Sequence, residues 1–200
     1  HGADPASPYR DALAFLLDEY VGLPADHPER YSRVIRREFT DAMGIPPARV
    51  HAPDPDAPDL DASCRAYEDA IRAAGGVGIQ ILGIGGDGHI AFNAPGTPFD
   101  ALTHVARLSD RTRADNARFF GGRPDAVPAV ALSQGIASIL RARSLVVVAT
   151  GESKADVVAR TLASEQTESL PATALHSHPD AVLLLDEAAA GRAGHLRTRA

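Results

Sequence analysis

Val77-Gly78-Ile79-Gln80-Ile81-Leu82-Gly83-Ile84 runs without a break into Gly85-Gly86-Asp87-Gly88-His89. The first eight residues form an almost continuous apolar run, not an apolar–polar alternation. Such a run predicts a strand buried on both faces, as in a parallel sheet. The glycines that follow allow backbone conformations closed to other residues. Ligands of open α/β sheets bind beyond the carboxyl ends of the strands. The stretch therefore predicts Asp87 and His89 at the mouth of a sheet.

Working outward, two more continuous apolar runs predict strands, Ser144 to Ala149 and Ala181 to Leu185. An earlier run, Leu13 to Leu17, is stopped by Asp18-Glu19-Tyr20 and reads as another buried strand. Between the strands the period changes. From Pro28, residues Tyr31, Val34, Ile35 and Phe39 step mostly by three and four, which predicts an amphipathic helix ended by Gly44-Ile45-Pro46-Pro47. Asp61 to Ala74 predicts a helix with Cys64, Tyr67 and Ile71 on one stripe, closed by Gly75 and Gly76. Arg113 to Phe120, Ala126 to Leu140 (with Pro128 in its first turn) and Lys154 to about Ala163 also read as helices. Val50 to Asp61 carries Pro53, Pro55 and Pro58 and reads as a long surface loop. Strands alternating with helices predict an α/β protein: a three-layer, Rossmann-like, mostly parallel sheet with helices on both faces. Residues 1–200 read as a single domain, with irregular ends at 1–12 and 188–200.

Composition narrows the function. The 200 residues carry 20 Lys and Arg against 26 Asp and Glu, a formal charge of −6. That balance argues against nucleic acid or an anionic membrane surface as partner. No apolar run approaches the roughly 20 residues of a membrane span, and no leader pattern opens the chain. One cysteine, Cys64, allows no intrachain disulfide and makes a cysteine-based zinc site an unpromising reading. These features predict a reduced, cytoplasmic protein. The first residue is His1, not Met, which suggests that the natural start lies elsewhere.

Three polar strand ends are candidates for a site: Asp18-Glu19, Gly85 to His89, and Thr150 to Lys154. Residues 83–88 match G-x-G-x-x-G, but the dinucleotide fingerprint needs a helix to open at once. Asn93-Ala94-Pro95-Gly96-Thr97-Pro98 would break one. A tight turn with an incidental Asp and His is the plainer alternative, against which the long loop that follows argues for a site. Asp18 and Glu19 read equally as functional acids or as solvated residues that end a strand. Lys154 opens a helix, where a cation opposes the dipole. It fits an anion held at that helix start, or a surface lysine. His27, His51, His104, His176, His178 and His195 read as loop or surface groups.

Taken together, these residues resemble a known family. Leu17-Asp18-Glu19-Tyr20-Val21-Gly22-Leu23-Pro24 followed by Gly83-Ile84-Gly85-Gly86-Asp87-Gly88-His89-Ile90-Ala91-Phe92-Asn93 is similar to the glucosamine-6-phosphate deaminases, also called isomerases. The likeness continues through Thr112 to Phe120, Gly151-Glu152-Ser153-Lys154 and His178-Pro179, and spans roughly Leu13 to Glu187. The related 6-phosphogluconolactonases share the Asp-Gly-His core but usually continue it with Thr-Ala-Ser, and they lack the Asp-Glu-Tyr-Val-Gly-Leu segment.

The resemblance implies isomerisation and deamination of glucosamine 6-phosphate to fructose 6-phosphate and ammonia, without metal or organic cofactor. It implies Asp18 as the base that moves a proton between C2 and C1, His89 as the acid/base that opens the sugar ring, and Asp87 as its assistant. It implies substrate contacts at Gly85, Gly86, Gly88, Arg118 and Lys154. The partner would be a small sugar phosphate, with a homo-oligomer as the assembly.

The chain departs from the family at two places. The family reads Asn-Glu-Pro where this chain has Asn93-Ala94-Pro95, so a catalytic carboxylate is missing. An earlier strand-turn-helix with a Gly-Ser/Thr-rich phosphate turn has no counterpart before Leu13. His104 and Ala106 stand where the family's hexamers carry basic effector-binding residues, so that regulation is not expected. A weak, sugar-phosphate-binding paralogue and a lactone hydrolase are the alternatives.

Overall fold

A computed structural model describes residues 7–191. Residues 1–6 and 192–200, expected to be irregular, and His195 lie outside the described residues. In chain order the elements are β1 (Ala14–Phe15), β2 (Asp18–Tyr20), α1 (Tyr31–Ile35), α2 (Asp41–Met43), β3 (Val50–His51), α3 (Leu60–Ala73), β4 (Ile79–Gly83), β5 (His104–Arg107), α4 (Asp110–Asn116), β6 (Val130–Ser133), α5 (Ile136–Leu140), β7 (Ser144–Ala149), α6 (Ala155–Ala163), β8 (Ala181–Leu185) and α7 (Glu187–Ala190). A π-helical stretch, Arg36–Thr40, joins α1 to α2. The chain divides into two compact units. One comprises residues up to Gly75 with Thr103–Ser133; the other comprises Gly76–Leu102 with Gln134 onward.

In the first unit, β2, β6 and β5 form an antiparallel sheet, with Asp18 opposite Ser133 and Ala106 opposite Ala131. β1 and β3 pair in parallel, and the buried Tyr67 of α3 ties them by donating its hydroxyl to the Leu16 carbonyl at 2.7 Å. Asp59 caps α3 by accepting the Ala62 N–H, and the left-handed Gly75 follows its end. Cys64 and Tyr67 occupy the buried stripe, as the periodicity predicts.

The second unit holds the parallel sheet, in the order β4-β7-β8. Its two faces differ. Leu82, Leu145, Val147 and Ala149 are buried, and Ala149 packs on Val158 of α6. The opposite face carries Ile79, Ile81, Val148, Val182 and Leu184, exposed from 40% to 66%. In β4 the covered face carries Gln80 and Leu82, while Ile79 and Ile81 lie on the face that the described residues leave exposed.

The expected α/β class holds, with parallel strands and helices, and β7 and β8 keep their predicted bounds. Five readings change. Val50–His51, the start of the stretch that reads as a loop, is strand β3 paired with β1. Ala126 to Leu140 is not one helix but strand β6 followed by the short helix α5, broken at Gln134-Gly135. The small apolar residues there suit either period, and pairing with β2 and β5 decides. Strand β5 was not anticipated, nor was the antiparallel sheet. Leu13 to Leu17 holds only two strand residues. Asp18 does not end that strand; it begins β2, in a different sheet.

Candidate active site

Within the second unit, β4 delivers the glycine loop beyond its carboxyl end, as the sequence predicts. The Gly85 N–H donates to the His89 carbonyl at 2.8 Å and the Gly88 N–H to the Gly85 carbonyl at 2.9 Å, closing a tight turn. Gly88 takes φ +89°, a conformation that favours glycine, and the Leu170 side chain fills the space where a Cβ would project. At Gly85 a Cβ would enter the His89 ring itself. The ring therefore lies flat against bare backbone.

His89 Nδ1–H donates to Asp87 Oδ1 at 2.6 Å, and the same oxygen accepts the His89 backbone N–H at 3.1 Å. Both side chains are about one-fifth exposed (20% each). Burial pushes the Asp87 carboxyl up. The His89 amide, the imidazole charge and the ring hydrogen bond outweigh it, holding Asp87 below the usual carboxylate range. With Nδ1 committed to Asp87, Nε2 is the nitrogen able to exchange a proton.

Lys154 comes to the same loop. Its Nζ donates to the Ile84 carbonyl at 2.8 Å, bridging the turn after β7 to the end of β4. An ammonium has three donors, so this bond leaves others for a ligand. The turn is anchored by Asp186, whose carboxylate accepts the Gly151 N–H (2.9 Å) and caps α7 through the Ala189 N–H. Past the loop, Asn93 is fully buried and donates Nδ2 to the carbonyls of Ile90 and Gln134, while its Oδ1 has no partner. Ala91 holds φ +50°, uncommon for a residue with a Cβ.

The first unit carries the other acids. Asp18, the first residue of β2, is pushed up to about 7, chiefly by burial and then by the charge of Glu19. A carboxyl near 7 can both take and return a proton at neutral pH. Glu19 is not a solvated strand-ending acid. It is fully buried, with Oε1 accepting the N–H groups of Tyr20 (3.0 Å) and Tyr31 (2.8 Å), and Oε2 that of Ser32 (2.8 Å). Tyr31 stacks on Tyr20 at 4.7 Å and donates its hydroxyl to the Tyr20 oxygen at 3.3 Å, which also accepts Asn116 Nδ2 at 2.9 Å. Burial pushes both phenols up, and the charge of Asp18 adds to it.

The structure thus joins two of the three predicted strand-end sites, the glycine loop and Lys154, through one hydrogen bond. Asp18 and Arg118 belong to the first unit. Arg118 is exposed on the turn Ala117–Phe119, its guanidinium 4.7 Å from the Phe119 ring centre. His178, given no role above, is a structural tie: Nε2–H donates to the Ala142 carbonyl at 2.8 Å and Nδ1 accepts the Asp180 N–H. Glu19 belongs to a segment the sequence offers as a candidate, whereas no site role is legible there for Tyr31, Leu170 or Asp186. Among the described residues, no group of three or more His, Cys, Asp or Glu could hold a metal ion. None of their helices is long and apolar enough to cross a membrane.

Fold and side chains together define an α/β protein with a histidine–aspartate pair and a lysine at one strand end of the second unit and a buried aspartate in the first. More specifically, residues 9–184 match the family of glucosamine-6-phosphate isomerases and 6-phosphogluconolactonases, and the chain belongs to it. It is 51% identical over 184 residues to a glucosamine-6-phosphate deaminase of Beutenbergia cavernae, covering 92% of this chain and 70% of that one. The corresponding protein of Mycolicibacterium smegmatis is 52% identical over the same shares. A solved monomeric glucosamine-6-phosphate deaminase superposes with a TM-score of 0.89 at 40% identity, over 92% of this chain and 76% of that one. The 6-phosphogluconolactonase of Trypanosoma cruzi, at 23% identity and a TM-score of 0.70, shares the fold.

Proposed function

We propose that the protein deaminates and isomerises glucosamine 6-phosphate, yielding fructose 6-phosphate and ammonia with the consumption of one water. The observation that carries this reading is the division of acid–base labour. An imidazole is paired to a carboxylate at 2.6 Å, and a separate carboxyl is raised to about 7. Half-identity to named deaminases over most of the chain supports it.

In this reading His89 Nε2 exchanges the proton that opens the sugar ring, while Asp87 fixes the tautomer and stabilises the imidazolium. Asp18 takes the proton from C2 and returns it to C1. Water then displaces the C2 nitrogen as ammonia. Lys154 and Arg118 receive the anionic substrate, and a phosphate handle remote from the reacting carbons supplies orienting energy. Gly85 and Gly88 act by shape, because their N–H groups are used within the loop, and Gly86 leaves the backbone bare for close approach. The reading places the protein in the cytoplasm.

Ammonia release from glucosamine 6-phosphate, coupled to fructose 6-phosphate formation, tests it. Activity should disappear in Asp18→Asn; turnover at the unaltered rate would overturn the assignment. Ala94 favours a second reading, a sugar-phosphate-binding protein with little turnover. Calorimetric binding without ammonia in a sensitive assay would select it.

A further inference from the structure

We propose that Glu19 is a positioning residue for the Asp18 proton transfer, acting through its buried charge and through its grip on the start of α1. The inference rests on the function proposed above and adds to it a residue that does not touch substrate. It begins with an unusual cap. The residue before α1 is Arg30, whose side chain accepts nothing and caps nothing. The orphan N–H groups of Tyr31 and Ser32 are instead taken by the two oxygens of Glu19, twelve and thirteen residues earlier and on a different element. A carboxylate at a helix start is well placed for the dipole. The same carboxylate accepts the Tyr20 N–H, so it clamps β2 to α1 at the position next to Asp18.

The clamp has a chemical consequence. It fixes Tyr31, whose ring stacks on Tyr20 and whose hydroxyl continues to Tyr20 and Asn116. It also places a fully buried negative charge one residue from the base. The charged and titratable groups around the pair are few. Arg30 Nε lies 3.9 Å from Glu19 Oε2, and Arg30 Nη2 is spent on Asp56 at 2.6 Å. Tyr20 and Tyr31 feel the Asp18 charge, and Glu29 acts on Tyr20. From β6, the residue opposite Asp18 is the uncharged Ser133. Ser133 also pairs with His104 of β5 on its other side, and the charge that acts on Asp18 is that of Glu19, which raises it. A nearby like charge favours the protonated carboxyl.

Two variants separate charge from reach. Glu19→Gln keeps the size and an acceptor but loses the charge. Glu19→Asp keeps the charge but withdraws the oxygens from the Tyr31 and Ser32 N–H groups. Titration of Asp18 by 13C NMR of the carboxyl carbon is read alongside the pH profile of kcat/KM. In Glu19→Gln both the Asp18 midpoint and the acidic limb should move down by about one pH unit, the scale of one short-range like-charge interaction. In Glu19→Asp the limb should stay and kcat should fall about tenfold with KM little changed. A folded Glu19→Gln whose Asp18 midpoint stays put overturns the inference, because a merely structural Glu19 would lower stability and leave the titration alone. If the midpoint moves but neither the parent nor the variant releases ammonia, the proposed function fails and the electrostatic role of Glu19 stands.

Discussion

Gly85→Ala tests the site at its tightest point. Gly85 does not adopt a positive φ, so alanine is acceptable to the backbone. The obstacle is the His89 ring: a Cβ would fall against its Cε1, Nδ1 and Nε2 atoms, well inside the 3.4 Å of ordinary contact. The ring must withdraw by about 1 Å or more, and the 2.6 Å bond to Asp87 cannot survive unchanged. A misplacement of that size is worth about 100-fold in rate, and overpacking costs about 1–3 kcal/mol of stability. The assays are ammonia release at saturating glucosamine 6-phosphate, thermal unfolding, and the NMR signal of the imidazole Nδ1 proton. We expect kcat down about 100-fold, a Tm lower by several degrees, and a shifted or lost Nδ1 proton. Gly151→Ala is the control. It carries a positive φ, so the substitution is strained, but no atom lies within 4 Å. It should cost stability without disturbing the His89 proton. A Gly85→Ala protein with unaltered turnover and an unaltered Nδ1 proton would refute the argument.

The other expectations concern Asp18, the loop and the sheet. Asp18 has a folded value near 7 against an ordinary 3.8, so it contributes stability below about pH 4 that is lost as pH rises through 7. Asp18→Asn should therefore be more stable than the parent at pH 8, by about 4 kcal/mol at most. The difference should vanish near pH 4 in urea titrations; a constant difference across pH would contradict the raised value. Ala94→Glu should increase ammonia release, with general acid–base assistance worth about 10²–10⁴-fold setting the ceiling. A well-folded variant without gain would show that the missing carboxylate is not limiting. Leu82→Ala should cost about 2–5 kcal/mol, whereas Ile81→Thr, one residue along on the exposed face, should stay within about 1 kcal/mol. Equal losses in chemical denaturation would mean that the second face is covered in solution.

Much of this protein is legible in local patterns. Strands β7 and β8 are continuous apolar runs, α3 is a stripe with an Asp cap and a closing glycine, and the glycine loop declares itself by composition. Those signals survive because each arises from residues close together in the chain: backbone freedom at glycine, capping, and hydrophobic period. The chain alone also placed Asp87 and His89 at a strand end and Lys154 at a helix start.

Tertiary structure decided the rest. Whether Val130–Ser133 is strand or helix depends on β2 and β5, more than a hundred and about twenty-five residues away, and no local window contains that information. The bond from Lys154 to Ile84 joins two strand ends seventy residues apart. Asp18 is an ordinary aspartate by composition. Only burial and a neighbouring carboxylate locked onto a helix start make its proton available near neutral pH, because desolvation and charge proximity are properties of the folded surroundings and not of the residue.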